Sequence, residues 1–177
     1  MSSPAGVPAP ATGFDPDWLG LREPADHAAR AESLLAPLVE VLRARPLVVH
    51  DLGSGTGSMA RWLAPLLPGP QRWVLHDHDP ALLAEADRRC AGLRDATGRP
   101  VAVQTRITDL SRLHAADLTG AGLVTASALL DLLTGPEVEA LAATCVHVGC
   151  PALFTLSVAG HVELDPADEH DLSLIHI

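Results

Sequence analysis

Short apolar runs alternate with amphipathic stretches along most of the chain. LVVHDL (47–52), WVLHD (73–77), VAVQTRI (101–107), LVTASAL (123–129) and ALFTLSV (152–158) are brief, rich in β-branched residues and bounded by polar or Gly/Pro segments, which predicts five strands. Between them the spacing predicts a helix over 57–67, a second from Pro80 to about Leu93, and a third to about Val146. Thr134 and Glu137 form a capping box for the third, with Pro136 inside it. Upstream, in FDPDWLGLREPADHAARAESLLAPLVEVLRAR (14–45), Ala28, Ala31, Leu34, Leu35 and Leu38 make an apolar stripe. Pro24 suits a helix's first turn, and Pro37 is expected to split the stretch into two helices. Strands alternating with helices imply right-handed crossovers. The expected fold is therefore α/β: a doubly wound, mostly parallel sheet preceded by N-terminal helices. Such sheets bind ligands at the C-terminal ends of their strands.

Composition narrows the picture. At 177 residues and 47% apolar content the chain is long enough for one packed domain. Residues 1–13, MSSPAGVPAPATG, lack a basic start and an apolar core and read as a disordered leader. No apolar run reaches the roughly 18 residues of a membrane span. Net charge is −10, and the 12 basic residues, all Arg, are scattered, which disfavours nucleic acid as a partner. Cys90, Cys145 and Cys150 have no framework spacing and read as reduced thiols of a cytoplasmic protein. CVHVGC (145–150) supplies at most three ligands, so no metal is expected. Lys, Asn and Tyr are absent. Their codons are A/T-rich, so the source is expected to be a high-GC, bacterial genome.

The chemistry gathers around VVHDLGSGTGSMARW (48–62). Gly53, Gly55 and Gly57 allow a sharp turn and a close approach of backbone to ligand. A dinucleotide fingerprint needs its third glycine where Ser58 stands, and a P-loop needs a Lys that the chain lacks. Asp51, two residues before Gly53, would repel a pyrophosphate but suits a ligand bearing an ammonium and a sulfonium. Asp51-Leu52-Gly53-Ser54-Gly55-Thr56-Gly57 resembles the first motif of the class I, Rossmann-like methyltransferases that depend on S-adenosylmethionine (SAM).

That resemblance, over residues 14 to 165, implies SAM as cofactor and Asp51, Gly53, Ser54, Gly55 and Gly57 as its cradle. It implies Asp77 as ribose ligand, with Asp79 the alternative, since one carboxylate offers two acceptors to a vicinal diol. It implies His78 flanking the adenine, His76 packing, Asp109 receiving the adenine amino group, and the small Ala126 and Ser127 beside cofactor and acceptor. Asp109 also reads as a plain helix cap. Arg22 or Arg30 would meet the methionine carboxylate and Trp18 would pack on a ligand. The leader WLGLREPADHAAR resembles that of actinobacterial methyltransferases. The Asn-Pro-Pro-aromatic signature of adenine and glutamine methyltransferases is missing, which leaves a small-molecule acceptor. Asp131 and His161 are the candidates for acid–base catalysis. The rival readings are an NAD(P)-binding oxidoreductase and an inactive SAM-binding relative.

LSLIHI (172–177) breaks the composition of the body: residues 1–171 contain one Ile and these six contain two. It resembles a translated sequencing adapter. The expectation is a methyltransferase domain over 14–171, interrupted before its last two strands and lacking roughly 80–120 residues. As written, it should be poorly soluble and inactive.

Overall fold

The computed structural model describes residues 14–42 and 46–156. The expected leader, the 172–177 tail and His161 lie outside the described residues. Five strands form one parallel sheet in the order β3-β2-β1-β4-β5: β1 Leu47–Leu52, β2 Gln71–Asp77, β3 Ala102–Ile107, β4 Leu123–Ser127 and β5 Ala152–Thr155. The order reverses between β1 and β4, which opens the crevice of a doubly wound sheet at their C-terminal ends.

Helices α1 (Pro16–Ala29), α2 (Leu35–Val41), α3 (Ser58–Leu63), α4 (Pro80–Arg89) and α5 (Gly135–Val148) surround the sheet. Odd-numbered β1 and β2 residues, Leu47, Val49, Trp73 and Leu75, pack one face against Leu38, Met59, Leu63 and Leu83 of α2, α3 and α4. Leu52, Val124 and Ala126 pack the other face against Leu141 and Cys145 of α5. Trp73 is fully buried, and its indole N–H donates to Gln71 Oε1 at 2.8 Å. The Gln71 amide in turn donates to the Ala64 and Leu67 carbonyls, so no polar atom of this pair is stranded.

The helical predictions need two corrections. Pro24 does not open a helix. Asp15 caps α1 nine residues earlier, accepting from Asp17 N at 2.8 Å with Pro16 at the first position, and Pro24 sits inside the helix. The break before α2 falls at Arg30, not at Pro37. Pro37 is the third residue of α2, where its missing N–H leaves no helical bond unmade. The capping box at Thr134 and Glu137 is formed as expected.

Candidate functional site

β1 ends in the glycine turn. Gly53, Gly55 and Gly57 have φ of +62°, +52° and +83°, the left-handed region that penalises side chains. A Cβ on Gly57 would stand 2.8 Å from Cys90 Sγ, so this glycine is demanded by packing as well. The turn is tied to β2: Ser54 N donates to His76 O at 2.9 Å and Gly55 N to Asp77 Oδ2 at 2.8 Å. α3, which follows, has only six residues before tightening into a 3-10 turn, so its dipole adds little.

Above the turn lies a cavity of about 380 Å³. Its floor is Asp51, Gly53, Ser54 and Gly55. One wall carries Asp77, His78, Thr108 and Asp109, and the opposite wall Ser127 and Leu129. Its roof is α1 and the residues flanking it, through Phe14, Trp18, Leu19, Arg22, Asp26 and Arg30. Glu23 pins α1 to the body through Arg61, which also donates to Thr56 O in the turn. His27 reaches Ser58 Oγ at 3.1 Å. Arg30 donates to Ser58 Oγ at 3.2 Å and to Ser127 Oγ at 3.3 Å, linking the helix, the turn and β4.

Asp51 is 1% exposed. Thr125, its register partner on β4, donates to Oδ1 at 2.7 Å, while Oδ2 has no partner among the described residues. Burial pushes the carboxyl up to about 7, although Thr125 and the more distant Arg30 both favour its charge. Ser54 Oγ is likewise buried without a partner. A buried acceptor that lines a cavity and lacks a donor leaves a position for a donor from a ligand or a water. Sequence reasoning missed Thr125, because nothing local announces which residue lies opposite Asp51 across a parallel pair.

Asp77 is almost buried. Its Oδ1 accepts from Asp79 N at 3.0 Å, and its Oδ2 holds the Gly55 amide. Asp79, the alternative ribose ligand, is not among the cavity's lining residues and caps α4 through Ala81 N at 2.7 Å. His78 is exposed, 3.4 Å from Asp77. His76 is fully buried and hydrogen-bonds to His50 and to Thr108, each at 2.9 Å, a packing role as expected. Asp109 reaches the cavity and also caps the turn at 110–112, accepting from Ser111 N at 3.0 Å. Asp131 is exposed in a 3-10 turn and is not a lining residue. Arg22 spends its guanidinium on Asp26 and stacks over Trp18, leaving Arg30 the more deeply buried of the two arginines. No group of His, Cys, Asp and Glu suited to a metal occurs among the described residues. No helix among them is long and apolar enough to cross a membrane.

No family model matches the chain, and no curated protein does. Solved structures share its architecture. A protein from Methanococcus maripaludis described as an S-adenosyl-L-methionine-dependent methyltransferase is 12% identical, with a TM-score of 0.56 over 85% of this chain and 68% of that one. A SAM-dependent methyltransferase from Leishmania major is 17% identical, with a TM-score of 0.54 over 76% of this chain and 50% of that one. An exported-type protein from Bordetella parapertussis is 23% identical, with a TM-score of 0.51 over 73% of this chain. The chain spans 40% of the length of that last protein. At these identities the likeness establishes the fold: α/β and Rossmann-like, with a parallel sheet flanked by helices.

Proposed function

We propose that this domain binds S-adenosylmethionine and transfers its methyl group to a small-molecule acceptor. The observation that carries the reading is the buried, half-unpartnered carboxylate of Asp51 at the mouth of the glycine turn. An ammonium is the donor that such a carboxylate lacks, and a pyrophosphate is what it repels. This is why the NAD(P) reading ranks second although the sheet would suit it equally.

The residues fit the cofactor. Asp51 and the backbone of the glycine turn hold the amino-acid end, with Arg30 the nearest cation for a carboxylate. Asp77 retains free lone pairs on both oxygens for a ribose diol. His78 and Asp109 flank the far end, the adenine side of this reading. Ser127 stands beside the arginine where an acceptor enters. When bound, the cofactor supplies a methyl group already activated on a sulfonium. The protein's part is then to align an acceptor and exclude water. α1 serves both ends by roofing the cavity with Trp18 and Leu19. Asp131 and His161 stay as proposed acid–base candidates, required only by acceptors that must lose a proton. A small acceptor fits the net charge of −10, which opposes a polyanionic substrate. The thiols fit a reducing, cytoplasmic setting.

Calorimetric titration with SAM, S-adenosylhomocysteine and NAD tests the reading. The first two should bind at micromolar concentrations, and NAD should not bind below the millimolar range. Sub-millimolar NAD binding without SAM binding overturns it. Incorporation of labelled methyl groups from SAM into a cell extract separates an enzyme from a binding-only relative.

A further inference from the structure

A second concavity lies on the sheet face that carries α5, away from the ends of the strands. It is a groove of about 340 Å³ between β1, β2 and β3 on one side and the turn at 116–120 on the other. His50 and Val74, 4% and 5% exposed, form its floor, and Gln104 continues their register row on β3. Arg72 precedes Val74 by two residues on β2, and Arg106 follows Gln104 by two on β3. Alternation along a strand therefore places both arginines on this face, on opposite sides of the row.

Both guanidiniums have donors to spare. Arg72 gives one N–H to Gln104 Oε1 at 2.8 Å. Arg106 gives one to Asp117 O at 3.3 Å and stands 3.8 Å from Asp117 Oδ1. Among the described residues Asp117 is the groove's single carboxylate against two arginines, a local excess of positive charge on a chain whose net charge is −10. That field reaches the floor. After burial, Arg106 and Arg72 are the causes that lower the His50 imidazole to about 4, with Asp117 opposing, so His50 is neutral at pH 7.

His50 is also the end of a hydrogen-bonded chain through the sheet. Its Nδ1 lies 2.9 Å from His76 Nε2, and His76 Nδ1 lies 2.9 Å from Thr108 Oγ1. The Thr108 hydroxyl also lies 3.3 Å from Arg106 O. Donating there, it sets the chain so that His50 Nε2 is an acceptor; donating to His76 Nδ1, it makes each imidazole accept on Nδ1 and donate from Nε2, and His50 presents an N–H to the groove.

We propose that this groove is a second ligand site, taking a phosphate group, free or carried on a small molecule, between Arg72 and Arg106 with His50 Nε2–H and the Gln104 amide as further donors. Guanidinium forks match phosphate oxygens in geometry and charge, and a bound anion selects the donor direction of the Thr108–His76–His50 chain.

The test is an NMR titration of the full chain, labelled with ¹⁵N-histidine, with inorganic phosphate and separately with ribose 5-phosphate at pH 7.5. Ionic strength is held constant with sodium chloride. Saturable shifts of the His50 and His76 ring nitrogens, with both Nε2 atoms reporting the protonated form, are expected. Arg72→Gln and Arg106→Gln should each weaken binding about tenfold or more; both side chains are exposed, so the fold should survive, as circular dichroism will check. Tighter binding of inorganic phosphate identifies a free-ion site, and tighter binding of the sugar phosphate a phosphorylated small molecule. Shifts reproduced by sodium chloride alone, or an affinity unchanged in the double variant, overturn the proposal.

Discussion

Two carboxylates at the turn divide the work, and single substitutions separate their roles. In Asp51→Asn the acceptor for Thr125 is kept while the charge is lost. A ligand ammonium then loses a charge-assisted partner, worth about 1.5–3 kcal/mol, so SAM affinity should fall roughly 10- to 100-fold. The free protein should become more stable at pH 8. Its charged carboxylate is buried, and its pKa of about 7 means that ionisation is resisted by the fold. In Asp77→Asn one oxygen becomes an amide that cannot accept, so either the Gly55 or the Asp79 amide is abandoned, along with part of the diol site. 5′-Methylthioadenosine, which has the ribose but lacks the amino-acid end, distinguishes the two. Asp77→Asn should weaken it about tenfold or more, and Asp51→Asn should leave it unchanged. The reverse pattern in calorimetry would exchange the two assignments.

At the scale of elements, the turn and α4 are interlocked. Gly57→Ala imposes two costs. One is the left-handed backbone, about 1–2 kcal/mol, and the other is the contact of the new methyl with Cys90 Sγ at 2.8 Å. Cys90 belongs to the core and loses packing when shortened, yet Cys90→Ala removes that sulfur. The double variant should therefore be destabilised by less than the sum of the two single variants, because the clash is gone and only the backbone cost and the lost Cys90 packing remain. Additive destabilisation in urea melts would show that the sulfur moves aside freely. These elements were legible because apolar runs and caps are local. All five strands and the α5 capping box were readable for that reason. The start of α1 was not. Pro24 reads as its first turn, whereas Asp15 caps a helix that begins at Pro16 and carries Trp18 and Leu19 over the cavity. The turn's three glycines were readable. The Gly57–Cys90 contact spans 33 residues and was not.

At the scale of the whole molecule, what the sequence concealed was pairing. Asp51 was visible as an acidic residue before glycines, but its opposition to Thr125, and the diagonal hydrogen bond of His50 to His76, depend on strand order 3-2-1-4-5, which no local pattern encodes. Those pairings also govern how stability should depend on pH. His50 and His76 are lowered by burial, and by neighbouring positive charge, to about 4, against 6.5 when unfolded. Between these values the unfolded chain holds more protons on them, so their contribution is full from about pH 7.5 upward and is lost as pH falls through 6.5 towards 4. Asp51 works in the opposite sense. With a folded pKa near 7 against 3.8 unfolded, it holds its proton more tightly when folded, and its contribution is lost as pH rises through 7. Below pH 6.5 two imidazoles oppose one carboxyl and stability falls with acidification. Between 6.5 and 8 the remaining titration of the unfolded imidazoles offsets that of the folded carboxyl, so these three groups together leave stability nearly level. For these groups the ligand-free protein should hold its stability from about pH 6.5 to 8 and lose it below 6.5, and Asp51→Asn should lose stability relative to the unsubstituted protein by roughly 1 kcal/mol as pH falls from 8 to 6. Urea unfolding from pH 5 to 8 checks this, and parallel curves for the two proteins across pH 6 to 8 would show that Asp51 is not the group that titrates there.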